Sequence, residues 1–279
     1  MIRANAYFAI AAIVAAVTTQ SNAGELQRAT AEAWQEYVSE ASTRILARAE
    51  GSKPFVWMEE TADRARPVKS GAAGSVLQRF IVSQEEASGW PVETIEIEAS
   101  LPTLKKTGRL RAIRRLFPVG HPNYKVLEIA GDATVKNQVI VRYISADEKA
   151  TELPASSVAL TPANYKIHYA GSVWLGDRLT YVFRVIPRKK REGLINGVLW
   201  IDSETAIAVR ESGYLAKSPS VFVKRINLTR ENELHNGTIA EKITHVSVEM
   251  RLIGRAQLII VERPASEETA VRGVAEGGQ

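Results

Sequence analysis

The chain has 279 residues, of which 45% are hydrophobic and 24% charged, enough to bury a sizeable core. It contains no cysteine, which excludes disulfides, thiolate metal sites and cysteine nucleophiles. The net charge of +5 is mild and dispersed, so it argues only weakly for anionic partners.

The first residues, "MIRANAYFAIAAIVAAVTTQSNAGELQ", place Arg3 before an apolar run at 7–17 and small residues at 21–23. This pattern predicts a signal peptide over 1–23, cleaved after about Ala23, and export to the periplasm. The apolar run falls short of the ~20 residues that span a bilayer. A lipoprotein-type signal would also need a cysteine at its cleavage point. The remainder reads as one β-rich domain over 24–264, with a possible subdivision near 145–162, and a disordered tail at 265–279.

Residues 25–50 predict the one clear helix. Leu26, Trp34, Tyr37, Val38, Ala41, Ile45 and Leu46 recur at three- and four-residue spacing, and Gly51, Ser52 and Pro54 end the run. Its polar face lacks the lysines and arginines of a membrane-surface helix, so the apolar stripe is read as lying against a sheet. From residue 55 onward the pattern shifts to period two. "YKIHYAG" (165–171) and "HVSVEMRL" (245–252) alternate strictly, as strands with one buried face do. "QVIVRYI" (138–144), "LTYVFRVI" (179–186), "SVFVKRINL" (220–228) and "AQLIIVE" (256–262) are β-branched or aromatic and are also read as strands.

Turn residues fall between these runs: Gly131-Asp132, Gly176-Asp177, "DSET" at 202–205, Asn236-Gly237 and Gly254-Arg255. Ten to twelve strands without intervening helices predict an antiparallel meander, too long to lie flat and therefore a curved sheet, a barrel or a sandwich. The acidic stretch 85–98 and the basic stretch 105–115 are read as neighbouring strands that pair their charges. The segment 145–164 is polar and punctuated by proline, which predicts a long loop.

Sequence signals for catalysis are poor. No nucleophile elbow, zinc-helix or phosphate-loop motif is present. The histidines at 121, 168, 235 and 245 are scattered, and His168 and His245 fall on polar strand faces, where solvent exposure is expected. Asp132, Asp177 and Asp202 lie in turn sequences, where a carboxylate supports the backbone. These observations predict no catalytic residue, no metal and no cofactor. An exported chain without a basic, aromatic-interleaved stripe predicts no nucleic-acid partner.

The C-terminal half carries a more specific pattern. "YVFRVIPRKK" precedes "GVLWID", then "VRESG", with Tyr181–Pro187, Gly197, Trp200, Ile201, Asp202, Val209, Arg210 and Gly213 at the matching positions. The hairpin series continues through "KSPSVFVKRI" and "GRAQLIIVERP". Over roughly residues 160–263 this resembles exported bacterial proteins of the outer-membrane lipoprotein-sorting (LolA/LolB-like) superfamily.

The resemblance implies a mainly β fold: a strongly curved antiparallel sheet, or half-open barrel, with a helix packed on its concave face. It also implies an apolar cavity that accepts the acyl chain of a lipid or lipoprotein, without chemistry. Candidate cavity residues are Tyr165, Ile167, Tyr169, Tyr181, Phe183, Trp200 and Val209, with Trp34 and Tyr37 from the helix. Which face of each strand looks inward stays open, because a one-residue slip in register inverts it. The alternative reading is an envelope sensor or protein-interaction module on the same fold. Arg188, Lys189, Lys190 and Arg191 lie between two strands, either as the solvated end of a hairpin or as a contact with an anionic membrane.

Overall fold

The structure, a computed structural model, describes residues 70–86, 90–117, 120–219, 223–251 and 254–265. The predicted signal peptide, the helix at 25–50 with Trp34 and Tyr37, and all of the tail beyond Ala265 lie outside these residues. Ten strands form one antiparallel sheet in the order β3-β2-β1-β10-β9-β8-β7-β6-β5-β4, and the sheet does not close. They are β1 (Val92–Leu101), β2 (Lys106–Arg115), β3 (Asn123–Gly131), β4 (Tyr165–Leu175), β5 (Arg178–Pro187), β6 (Ile195–Asp202), β7 (Ala208–Leu215), β8 (Val223–His235), β9 (Thr238–Met250) and β10 (Gly254–Pro264).

Two meanders, β1–β3 and β4–β10, are joined where the first strand pairs with the last. β3 and β4 are consecutive strands in the chain yet form the two opposite edges of the sheet. The segment between them, including the possible subdivision at 145–162, therefore travels across the sheet.

That segment corrects two sequence expectations. The run 138–144 is helical, and so is the start of the segment expected to be a long loop. Helix α2 runs through α-helical Ala133–Val135, π-helical Lys136–Ile140 and α-helical Val141–Ala150. Its buried residues are Val135, Val139, Ile140, Tyr143, Ala146, Asp147 and Ala150. Their three- and four-residue spacing is helical, and it overrides the strand preference of a β-branched run. Asp132 starts the helix: its carboxylate accepts from Thr134 N at 2.7 Å and from Val135 N at 3.4 Å. Gly131-Asp132, expected to be a turn between strands, is thus a strand end and a helix cap.

A second helix interrupts the region expected to be continuous strand. Helix α1 (Ser70–Glu86) buries Ala73, Val76 and Phe80, with Leu77 and Ile81 partly buried beside them. Its small residues hid this stripe. Arg79 pins α1 by donating to the carbonyls of Glu204 (2.9 Å) and Ser203 (2.8 Å), and Gln84 exchanges two hydrogen bonds with the backbone of Leu160. A short helix, α3 (Ala155–Val158), follows α2.

The paired acidic and basic blocks are neighbouring strands, as expected: Glu93, Glu96 and Glu98 stand opposite Arg114, Arg111 and Arg109. Register also fixes the sidedness of the whole sheet, because residues directly opposite share a face. One face runs from Leu110 through Ile97, Ile260, Thr244, Arg230 and Glu211 to Leu199 and Phe183. It carries both hydrophobic clusters, one under α2 and one under α1 and α3. We call this the covered face and its opposite the open face.

Where the clusters adjoin, Gly197 stands directly opposite Gly213. A Cβ on Gly213 would sit 2.4 Å from the Asn196 carbonyl oxygen, and one on Gly197 would sit 2.1 Å from that of Ser212. Both obstructions are backbone, so a side chain at either position forces the strands apart. Gly213→Ala is expected to lower stability by about 1–3 kcal/mol in chemical denaturation, the usual cost of overpacking. An unchanged denaturation midpoint would show that β6 and β7 need no such close approach.

Candidate functional site

The covered face has two chemically distinct parts. The first is an aromatic and aliphatic wall on β4, β5 and β6. Tyr181, Phe183 and Val185 stand opposite Ile201, Leu199 and Gly197, and Ile167 and Tyr169 continue the wall on β4. The Tyr169 ring packs against Tyr181 at 6.2 Å between centroids and against Phe183 at 5.8 Å. Tyr165 is buried deeper, and its hydroxyl accepts from Ile195 N at 3.1 Å. Tyr169 alone of these rings is exposed, at the free edge of the sheet. The β4 backbone turns there through a bulge at Gly171, whose φ is 140°. The wall is covered by α1 and by Val158 and Leu160.

Five of the candidate cavity residues (Tyr165, Ile167, Tyr169, Tyr181 and Phe183) are thus brought together. Trp200 is not one of them. It stands opposite Val182 and Arg210, which puts it on the open face, where the Arg210 guanidinium lies 5.4 Å from its ring centre. Val209 is the extra residue of the bulge opposite Trp200–Ile201, so alternation does not assign it to the wall.

The second part is a buried ionic cluster that the sequence reading missed. Arg114 lies on the covered face of β2, and its guanidinium meets three carboxylates, with Nη2 against both Glu93 and Glu262. Nε donates to Glu93, Nη2 to Glu262, and Nη1 to Asp147 of α2 at 3.1 Å. The Tyr124 hydroxyl donates to the same Asp147 oxygen at 2.5 Å. Lys242, directly opposite Glu262, places its ammonium 4.4 Å from the centre of the Trp90 ring.

These charges occupy the apolar phase of their strands. Glu93 precedes Ile95 and Ile97, Arg114 follows Leu110 and Ala112, and Glu262 follows Leu258 and Ile260. A charged residue in apolar phase at a strand end was the available sequence signal.

Desolvation decides the protonation of the cluster. Burial pushes the Glu93 carboxyl up from 4.5 to about 7, against the pull of Arg114. Burial raises Asp147 as well, while Glu262 is held below the usual carboxylate range by Arg114, Lys242 and Arg230 despite its burial. One oxygen of Glu93 and one of Asp147 have no hydrogen-bond partner, so nothing there offsets the desolvation that raises both acids.

In the basic connection between β5 and β6, Arg188, Lys189, Lys190, Arg191 and Glu192 are exposed, whereas Gly193 and Leu194 are buried. Arg188 Nε donates to the Pro162 carbonyl at 2.7 Å, and Arg191 Nη2 to Asn164 Oδ1 at 2.6 Å. Lys189 and Lys190 have no hydrogen-bond or ion-pair partner among the described residues. Among the histidines, His168 is exposed but His245 is half-buried on the open face, and burial lowers its pKa. Among the described residues no group of three or more His, Asp or Glu could hold a metal ion, and no helix is long and apolar enough to cross a membrane.

No protein-family model and no curated protein matches the chain. Solved structures do. An outer-membrane lipoprotein-sorting protein domain from Vibrio parahaemolyticus is 10% identical, covering 73% of this chain and 98% of that one, with a TM-score of 0.32. A LolA superfamily protein from Nitrosomonas europaea is 12% identical over 70% and 94%, with a TM-score of 0.33. A DUF1329 family protein from Desulfovibrio piger is 14% identical over 70% and 91%, with a TM-score of 0.33. At such identities and TM-scores these neighbours carry no statement about what the chain does.

The cluster generates a pH prediction. Between about pH 4.5 and 7 the native state keeps the Glu93 proton that the unfolded chain has released, so this group's contribution to stability falls as pH rises. His245, with its lowered pKa, acts in the opposite direction below 6.5. Subtracting the curve of Glu93→Gln from that of the native protein isolates Glu93. The variant is expected to gain up to about 3 kcal/mol on the native protein as pH rises through that window. Parallel stability curves from pH 4.5 to 8 would show that Glu93 ionises as freely in the fold as outside it.

Proposed function

We propose that the protein is a non-enzymatic binding protein of the periplasm that holds the acyl chain of a lipid or lipoprotein against the covered face. The observation that supports this reading is the wall of Tyr165, Ile167, Tyr181 and Phe183, which ends in the exposed ring of Tyr169 at the free edge of the sheet. An acyl chain laid under α1 from that edge would meet aromatic and aliphatic surface throughout. Each methylene removed from water would contribute about 0.8 kcal/mol. α1 is a suitable cover because its buried stripe is wholly apolar and its polar anchors, Arg79 and Gln84, hold backbone groups rather than the wall.

Protein purified from its host and extracted under denaturing conditions is expected to release an acylated lipid or peptide, detected by mass spectrometry. The purified protein is also expected to bind a dansylated fatty acid, and Tyr169→Asp, at an exposed position, to weaken that binding without unfolding the chain. The absence of both carried-over lipid and fatty-acid binding would sink the reading. Binding unaffected by Tyr169→Asp would move the entrance away from the β4 edge.

The paired lysines of the β5–β6 connection suit an anionic membrane surface, to which a basic residue contributes about 1 kcal/mol. Replacing Lys189 and Lys190 with serine is expected to weaken sedimentation with phosphatidylglycerol vesicles at low salt by about 10-fold or more. Equal sedimentation would leave the connection as the solvated end of a hairpin.

A further inference from the structure

On the open face, a trough of about 410 Å³ lies over β1, β10, β9 and β8. The described helices α1, α2 and α3 all pack on the other side. The floor is set by register. Ser100, Gln257, Ser247 and Asn227 stand in one row across the four strands. In the adjacent row, His245 stands opposite Thr229 on one side and Ile259 on the other, with Glu98 beyond Ile259.

The row is chemically unusual for a sheet surface. Its members are neutral and hydrogen-bonding, and only Glu98 brings a charge into the trough lining. Among the described residues, the side chains of Ser100, Ser247, Gln257 and His245 make no hydrogen bond. Asn227 has its oxygen taken by Arg225 Nε at 2.8 Å, which leaves its amide NH₂ as a directed donor. The Thr229 hydroxyl shares its bond with Ser212 at 3.0 Å. Hydroxyls, amides and an imidazole therefore present donors and acceptors side by side, about 4.8 Å apart from strand to strand.

We infer that this trough binds a neutral oligosaccharide. Sugar hydroxyls are donors and acceptors at once, and hydroxyls spread over successive positions of a sugar chain complement a row that mixes amide and hydroxyl groups. An acyl chain would leave the row's polar groups buried and unpaired. A polyanion would find no cation among the trough-lining residues. An extended peptide would seek unpaired backbone at a sheet edge, whereas every strand under the trough is paired on both sides. The volume falls in the range of small-ligand sites, so the segment bound is short. The trough and the acyl-chain wall are on opposite faces, and this inference stands apart from the proposed function.

Isothermal titration with maltohexaose, cellohexaose, chitohexaose and a heparin-derived hexasaccharide tests it. At least one neutral hexasaccharide is expected to bind with a Kd of ~1 mM or tighter, and the heparin fragment to bind more weakly. Gln257→Ala, at an exposed position, is expected to weaken that binding by ~10-fold, and Ser247→Trp to abolish it by filling the trough, both at unchanged melting temperature. Should either variant fail to fold, Asn227→Ala replaces it with the same expected loss. Binding of none of the neutral glycans, preference for the heparin fragment, or affinity indifferent to these substitutions would each overturn the inference.

Discussion

The pairing of β1 with β10 is the contact on which the rest of the molecule depends. Eight consecutive residue pairs, from Glu93–Pro264 to Ser100–Gln257, join the first meander to the last strand of the second. With those two strands locked together, β3 and β4 are driven to opposite edges, and the chain between them has to cross the sheet. α2 is that crossing. It lies on the covered face because Val135, Val139, Ile140 and Tyr143 form a stripe that must find apolar strands beneath it. The same pairing brings Glu262 beside Glu93 and Arg114, and α2 delivers Asp147 to the same guanidinium. Topology and ionic cluster are therefore one arrangement seen at two scales.

A single guanidinium facing three buried carboxylates is not a device for stability in the ordinary sense. Removing charges from water costs several kcal/mol each, and a paired buried charge often does no better than a hydrophobic residue of similar size. What the arrangement supplies is direction. The Arg114 guanidinium holds one carboxylate from β1, one from β10 and one from α2, so a slip in either strand pairing, or a turn of the helix, leaves a buried acid without its partner. Such a penalty selects register more sharply than apolar packing does, since Ile, Val and Leu are interchangeable in neighbouring positions. The uptake of a proton by Glu93 relieves the excess of negative charge and lets the cluster remain buried near neutral pH.

Much of this was legible where periodicity is clean. β9 and β10 alternate so regularly that their buried residues follow from the sequence, and the acidic and basic blocks announced the β1–β2 pair. The helices were not legible, for opposite reasons. In α2 the residues Val139, Ile140, Val141 and Ile144 favour strand by shape, and only the spacing of Val135, Val139, Tyr143 and Ala146 favours helix. In α1 the stripe contains Ala73 and stands among Gly71, Ala72 and Gly74, so hydrophobicity alone hardly marks it. The wall was half legible. Tyr165 to Tyr169 and Tyr181 to Phe183 alternate in phase, but Trp200 adjoins a bulge, and there period two no longer tells which way a ring points. The ionic cluster joins residues far apart in sequence, and a sequence marks each of them only as a charge out of place.

An open sheet with one face left uncovered by the described helices must keep that face wet without losing its side chains to disorder. Here large rings are covered by cations of neighbouring strands: Arg210 lies over Trp200, and Arg225 lies 4.1 Å from the centre of Tyr214. Glu96 sits between Arg111 at 3.5 Å and Arg263 at 3.7 Å, so acid and base alternate across the strands instead of gathering by sign. This leaves the face polar and close to neutral while its aromatic area stays shielded, a balance that opposes adhesion to other sheets. Because side chains of one strand alternate between the two faces, this surface chemistry is set by residues that never touch the aromatic wall. The period of two is what allows one sheet to present an apolar surface to its helices and a hydrogen-bonding surface to solvent, with neither constraining the other.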